Sequence, residues 1–146
     1  MEPFKIEHFV RENPGKSFPG FKTLEAADCA KLKAVVAQAL GLPAEIEALQ
    51  ILDALRQNAI PIAEMNAASK EFSLVEVLRS LGIRPNRDVF INWKRFDCID
   101  RIALEDLSRY FDDIFYPGPD DIELFDETLK WFMLVDHEGA ISITEL

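Results

Sequence analysis

The chain has 146 residues, 49% hydrophobic and 29% charged, with a formal net charge of −10 and two cysteines. That length fits one domain with a real core, and the composition is too apolar for intrinsic disorder. The acidity argues against nucleic acid and anionic membrane surfaces as partners. No secretory leader or bilayer-spanning run is read, and two cysteines cannot form a disulfide framework, so a cytoplasmic protein is expected.

Residues 1–22 read as an arm, with Phe4, Ile6, Phe9 and Val10 apolar before Pro14-Gly15 and Pro19-Gly20 interrupt any regular element. Thr23 is placed to cap a helix that carries Leu24, Leu32, Val35, Val36, Ala39 and Leu40 and stops at Gly41. Pro43 suits the first turn of a second helix with Ile46, Leu49, Leu52 and Leu55 on one stripe. The stretch from Asn58 to Ala68 looks irregular. Ser73 and Glu76 then form a capping box, with Phe72 and Val77 at staple positions, and Gly82 ends that helix.

From there the period changes. Val89 to Trp93 is β-branched and aromatic and predicts a strand. Asp100 is expected to cap a fourth helix with Leu104, Leu107, Phe111 and Ile114 on one face. Strands follow at Ile122 to Phe125, Lys130 to His137 and Ala140 to Thr144, the last two joined by a two-residue turn at Glu138-Gly139. That turn, with a three-residue loop at Asp126 to Thr128, sets Phe132 and Leu134 on the face of Ile122, Leu124, Ile141 and Ile143. Asp121, Glu123, Trp131, Met133, Val135, His137, Ser142 and Thr144 then take the other face. The expected architecture is α+β: one domain over 1–146, with an arm (1–22) and a helical part (23–82). Its sheet-forming part (88–146) builds a small C-terminal antiparallel sheet of three to four strands.

The chemistry-bearing signal is charge. From Asp97 onward there are 14 acids and three bases, a net of −11 that leaves residues 1–96 at +1. Asp112-Asp113 and Asp120-Asp121 flank the aromatic, proline-rich turn Ile114 to Pro119. Such a lopsided field suits association with a basic protein surface. The acid pairs lack the alternating spacing of a calcium loop, and His8 and His137 have no zinc-ligand spacing. Gly15-Lys16-Ser17 lacks the upstream glycine of a phosphate loop, since Val10 stands there. No catalytic residue, metal ligand or cofactor is expected. Arg84, Arg87, Lys94 and Arg95 bracket the first predicted strand and are expected to pair internally; the alternative is a small basic patch for phosphate contact.

Trp93, the run Tyr116-Pro117-Gly118-Pro119-Asp120-Asp121-Ile122-Glu123, Trp131 and the His137-Glu138-Gly139 hairpin together resemble small bacterial immunity proteins of the SUKH-type superfamily. The resemblance implies an α+β domain that blocks a cognate toxin, often with acidic surface against a basic nuclease. The helical N-terminal half departs from that pattern. The resulting expectation is a non-catalytic inhibitor that meets its partner through Asp112, Asp113, Tyr116, Asp120, Asp121, Glu123 and Trp131. Two alternatives are an enzyme using the same carboxylates, and a subunit that homodimerises through an unguarded Ala140 to Thr144 edge.

Overall fold

The computed structural model describes residues 1–93 and 95–146, so Lys94 lies outside the described residues. A seven-stranded antiparallel sheet runs through the chain. Its strands are β1 (Phe21–Thr23), β2 (Ile60–Asn66), β3 (Asp88–Asn92), β4 (Ile99–Ala103), β5 (Ile122–Phe125), β6 (Trp131–Val135) and β7 (Ala140–Glu145), in the order β1-β4-β3-β5-β6-β7-β2. The helices α1 (Pro3–Glu12), α2 (Ala26–Ala39), α3 (Ala48–Asn58), α4 (Leu74–Ser80), α5 (Leu104–Arg109) and α6 (Phe111–Ile114) are interspersed among them. This overturns the expectation of a small C-terminal sheet. Two strands from the first half, β1 and β2, close the edges at opposite ends of the sheet.

Those edge strands carry weak sequence signals for physical reasons. β2 is exposed along almost its whole length and carries Pro61, so it shows neither alternation nor an apolar run. β1 is three residues long and follows Pro19-Gly20. Thr23 belongs to β1, and its hydroxyl donates to Asp100 at 2.5 Å instead of capping a helix. Asp100, expected as a cap itself, lies fully buried inside β4, where it also accepts from the Trp93 indole at 2.8 Å. Pro3 starts a real helix where an irregular arm was expected. Ser73 does cap α4, accepting the Glu76 N–H at 3.4 Å. The C-terminus closes as a Schellman motif, with Ile83 N–H on Leu78 O at 2.9 Å and Gly82 N–H on Arg79 O at 3.0 Å.

The register also differs from expectation. The β6–β7 loop holds three residues, His137 to Gly139, with Asp136 N–H bonded to Ala140 O, so Met133 pairs with Ile143 and Leu134 with Ser142. The β5–β6 loop is longer than three residues, so Ile122 pairs with Val135. Trp131, Met133 and Val135 therefore share a face with Ile122, Leu124, Ile141 and Ile143 and pack under α4, α5 and α6. Phe132 and Leu134 move to the other face with Glu123, Phe90 and Phe125, under α2 and α3. Both faces are covered, which makes a helix–sheet–helix sandwich. On the α2/α3 face, Phe125 packs against Phe90, Phe96 and Phe132 at ring-centroid distances of 5.0 to 6.4 Å.

Gly139 is required twice over. Its φ of +81° suits glycine, and a Cβ there would stand 2.3 Å from Asn66 Oδ1 and 2.6 Å from Ala68 N. The crowding arises because β2 lies alongside β7, with Ala67 N–H on Gly139 O at 2.8 Å. The proposed Ala140 to Thr144 dimer edge is thus already occupied by β2 of the same chain. Among the described residues, no helix is long and apolar enough to cross a membrane.

Candidate functional site

The fold separates the expected contact residues. Asp112 and Asp121 are exposed, and Asp113 and Tyr116 are half-buried. Burial pushes the Asp113 carboxyl above its ordinary value, although His8 nearby opposes this. The Tyr116 hydroxyl is 3.1 Å from His8 Nδ1, and its ring lies 5.7 Å from that of Phe4.

Asp120, Glu123 and Trp131 are 7%, 5% and 2% exposed, so none can act as surface contacts for a protein partner. Trp131 is core, as both faces of the sheet are roofed. Its indole N–H is close enough to help hold the buried Asp126 carboxylate ionised, yet it makes no hydrogen bond by distance and angle. For Asp126, burial alone would raise the carboxyl. The Thr128 hydroxyl and the backbone N–H groups of Asn86 and Thr128 donate to it and bring it below its ordinary value.

Asp120 is engaged through Oδ2. It pairs with the ammonium of Lys5, itself fully buried, and accepts the Tyr116 N–H at 2.8 Å. Lys5 Nζ also donates to Ile114 O at 2.7 Å and stands 4.4 Å above the Trp93 ring and 4.8 Å above the Tyr116 ring. Every direction of that ammonium is used, which makes it a fastener between α1 and the end of α6.

Glu123 is different. It lies on the floor of an open cavity of about 410 Å³ between α3, the β3–β4 loop and the start of β5. From α3 come Leu49, Leu52 and Arg56, at positions i, i+3 and i+7 of one stripe. The loop contributes Trp93, Arg95 and Asp97, and β5 contributes Glu123 with Asp121 just before it.

Asn92 is what builds this corner. Its Nδ2 donates to Glu123 Oε2 at 2.7 Å while its Oδ1 accepts the Phe96 N–H at 2.8 Å. A carboxylate on one side and an N–H donor on the other fix which way the amide points. Arg95 and Phe96 both hold positive φ, 48° and 68°, a backbone state that costs a non-glycine residue about 1–2 kcal/mol. The buried Phe96 side chain and the Asn92 bond hold them there. Phe96 is thereby tied to the same amide that donates to Glu123.

Burial pushes the Glu123 carboxyl up to about 7, against the opposing pull of Arg56 and the Asn92 hydrogen bond and with help from the negative Asp121. A carboxyl that changes charge near neutrality in an open cleft marks a candidate site. Apart from Glu123, the described residues of the lining carry two guanidiniums, Arg56 and Arg95, against Asp97 and Asp121. Among the described residues, no group of three His, Cys, Asp or Glu side chains is arranged to hold a metal ion.

Sequence reasoning missed Asn92, Arg56 and Asp97 as site residues, weighed Arg95 only for a phosphate patch and used Trp93 only in the family resemblance. One signal was available: an amide inside the run Val89-Phe90-Ile91-Asn92-Trp93 has to find partners if buried. Comparison of the chain with protein-family models, curated proteins and solved structures finds no match to any of them.

Proposed function

We propose that the protein binds a small polar molecule in the Glu123 cavity and that Glu123 is its acid–base group. The observation that carries this reading is a buried carboxyl with a single side-chain hydrogen bond, held near pH 7 on the floor of an open cavity. Such a group donates or accepts a proton at little cost, the condition for general acid–base work. The guanidiniums of Arg56 and Arg95 suit an anionic end of the ligand. Glu123 suits a hydrogen-bonding end, and Leu49 and Leu52 supply apolar wall. Charges of both signs among the described lining residues fit a dipolar ligand of amino-acid type better than a simple cation or anion.

The test is a thermal-shift and calorimetric screen of free amino acids and small hydroxy- and keto-acids at pH 6 and 8. At least one class should raise the melting temperature of the wild type, and Glu123→Gln and Arg56→Ala should abolish the shift. A panel without any hit, or a hit that survives both substitutions, refutes the reading.

A second reading keeps the immunity-like inhibitor, working in the cytoplasm against a basic toxin. It is favoured by the −11 carried from Asp97 onward and by the exposure of Asp112 and Asp121. Its contacts would be those two acids with Asp113 and Tyr116, since Asp120, Glu123 and Trp131 are interior. Association would then slow steeply with added salt and be indifferent to Glu123→Gln.

A further inference from the structure

The C-terminal end of α4 and the segment leading into β3 enclose a second cavity of about 470 Å³, remote in sequence from the Glu123 site. Its floor is apolar, formed by Val75, Leu78, Ile83 and Leu104. The Schellman motif fixes its shape, because the bond from Ile83 N–H to Leu78 O holds Ile83 over the helix end. Arg79 and Arg84 line it and are exposed.

Neither arginine has an ion-pair partner among the described residues. Arg87 and Arg109 likewise have none among the described residues, whereas Arg101 pairs with Asp88 at 2.9 Å and Glu127 at 3.4 Å; what sets Arg79 and Arg84 apart is their place beside an apolar floor. An adjoining cavity shares Pro85 and Leu104 and carries Arg87 on one side and Glu105 and Asp106 on the other. Positive charge therefore concentrates at the α4 end of the groove and is countered at the far end.

We propose that this groove docks a peptide segment of a partner protein in which one or two large apolar side chains lie next to aspartate or glutamate. The apolar side chains would fill the floor, and the partner's carboxylates would meet the Arg79 and Arg84 forks, a geometry that arginine recognises bidentately. Complementarity of charge selects this occupant: a basic segment would be repelled by the two guanidiniums, and an apolar segment without carboxylates would leave them unmet. The inference is independent of the Glu123 cavity.

The experiment uses fluorescence anisotropy with four labelled dodecapeptides: acidic with leucine and phenylalanine, acidic with serine in their place, basic with leucine and phenylalanine, and uncharged with leucine and phenylalanine. The first should bind at least tenfold more tightly than the other three. Arg79→Glu with Arg84→Glu should weaken it at least tenfold, Arg79→Gln with Arg84→Gln should weaken it less, and Lys130→Glu, outside the groove, should leave it within twofold. Both arginines are exposed, so melting temperature checks that the fold survives. Equal binding of the acidic serine peptide, no effect of the double charge reversal, or displacement of the peptide by a short oligonucleotide at lower concentration would each overturn the proposal.

Discussion

Asp120 and Glu123 stand three residues apart, both buried, and they solve the same problem in opposite ways. A buried carboxylate needs either a counter-charge with a full set of donors or a proton. Asp120 has a counter-charge, Lys5, with the Tyr116 N–H as a second donor, and it borders a smaller cavity of about 250 Å³ beside Trp93 and Pro119. Glu123 has one amide donor and an open cavity in front of it. The first arrangement neutralises the charge within the protein. The second leaves acceptor capacity facing a space lined by charged groups. Burial alone therefore does not mark a functional carboxylate; burial beside a cavity without a counter-charge in contact does.

The largest effect should come from breaking the paired arrangement. Lys5→Met leaves Asp120 buried without its counter-charge and should lower stability by about 3–5 kcal/mol in urea titrations at pH 7. Adding Asp120→Leu removes the stranded charge and should restore most of that loss, because a buried pair is often replaceable by apolar residues of similar volume. If the single variant loses less than about 1 kcal/mol, well under that expectation, the pair is not the fastener described.

The open arrangement should respond with the opposite sign. The Glu123 carboxyl titrates at about 7 in the folded protein against an ordinary value of 4.5, so between those values the folded state holds a proton that the unfolded state has released. Stability therefore declines as pH rises from 4.5 to about 7 and stays low above it. The full difference corresponds to roughly 3 kcal/mol. Glu123→Gln mimics the protonated form, so it should be close to neutral at pH 5 and stabilising by up to about 3 kcal/mol at pH 8. Denaturant melts at the two pH values decide it. A variant that is destabilised at pH 8 would show that the ionised carboxylate is structurally required.

Several elements were legible in the sequence because their signals are local. Ser73 and Gly82 bound α4 as their capping chemistry requires, and Leu104, Leu107, Phe111 and Ile114 are all buried on the helical stretch where their spacing put them. Register was not legible, because it depends on loop lengths that aliphatic patterns do not determine when both faces of a sheet are buried. With every residue of β5 and β6 buried, Trp131 and Phe132 are both core and neither face announces itself. The edge strands were hidden by exposure and by Pro61. Glu123 was singled out for its charge, as a surface contact, whereas its distinctive property is burial beside Asn92, a pairing across β3 and β5 that only the topology creates.

Asp121, between the two buried acids, is the smallest effect and the sharpest control. It is exposed and accepts both the backbone N–H of His137 at 2.8 Å and the ring Nδ1 at 3.1 Å. That hydrogen bond, then the charge of Asp121, raises the His137 pKa above 6.5, with Asp136 and Glu138 adding to it. A histidine raised in this way stabilises the fold fully below 6.5 and loses the contribution as pH rises through its folded value. Because the pair is exposed to solvent and salt, the change belongs in an NMR titration and not in a denaturant melt. Asp121→Asn should bring His137 back toward 6.5, and since Asp121 also raises Glu123, the Glu123 titration should move down with it. A His137 shift without a Glu123 shift would separate Asp121 from the cavity and leave the acid–base group to Arg56, Asn92 and burial alone.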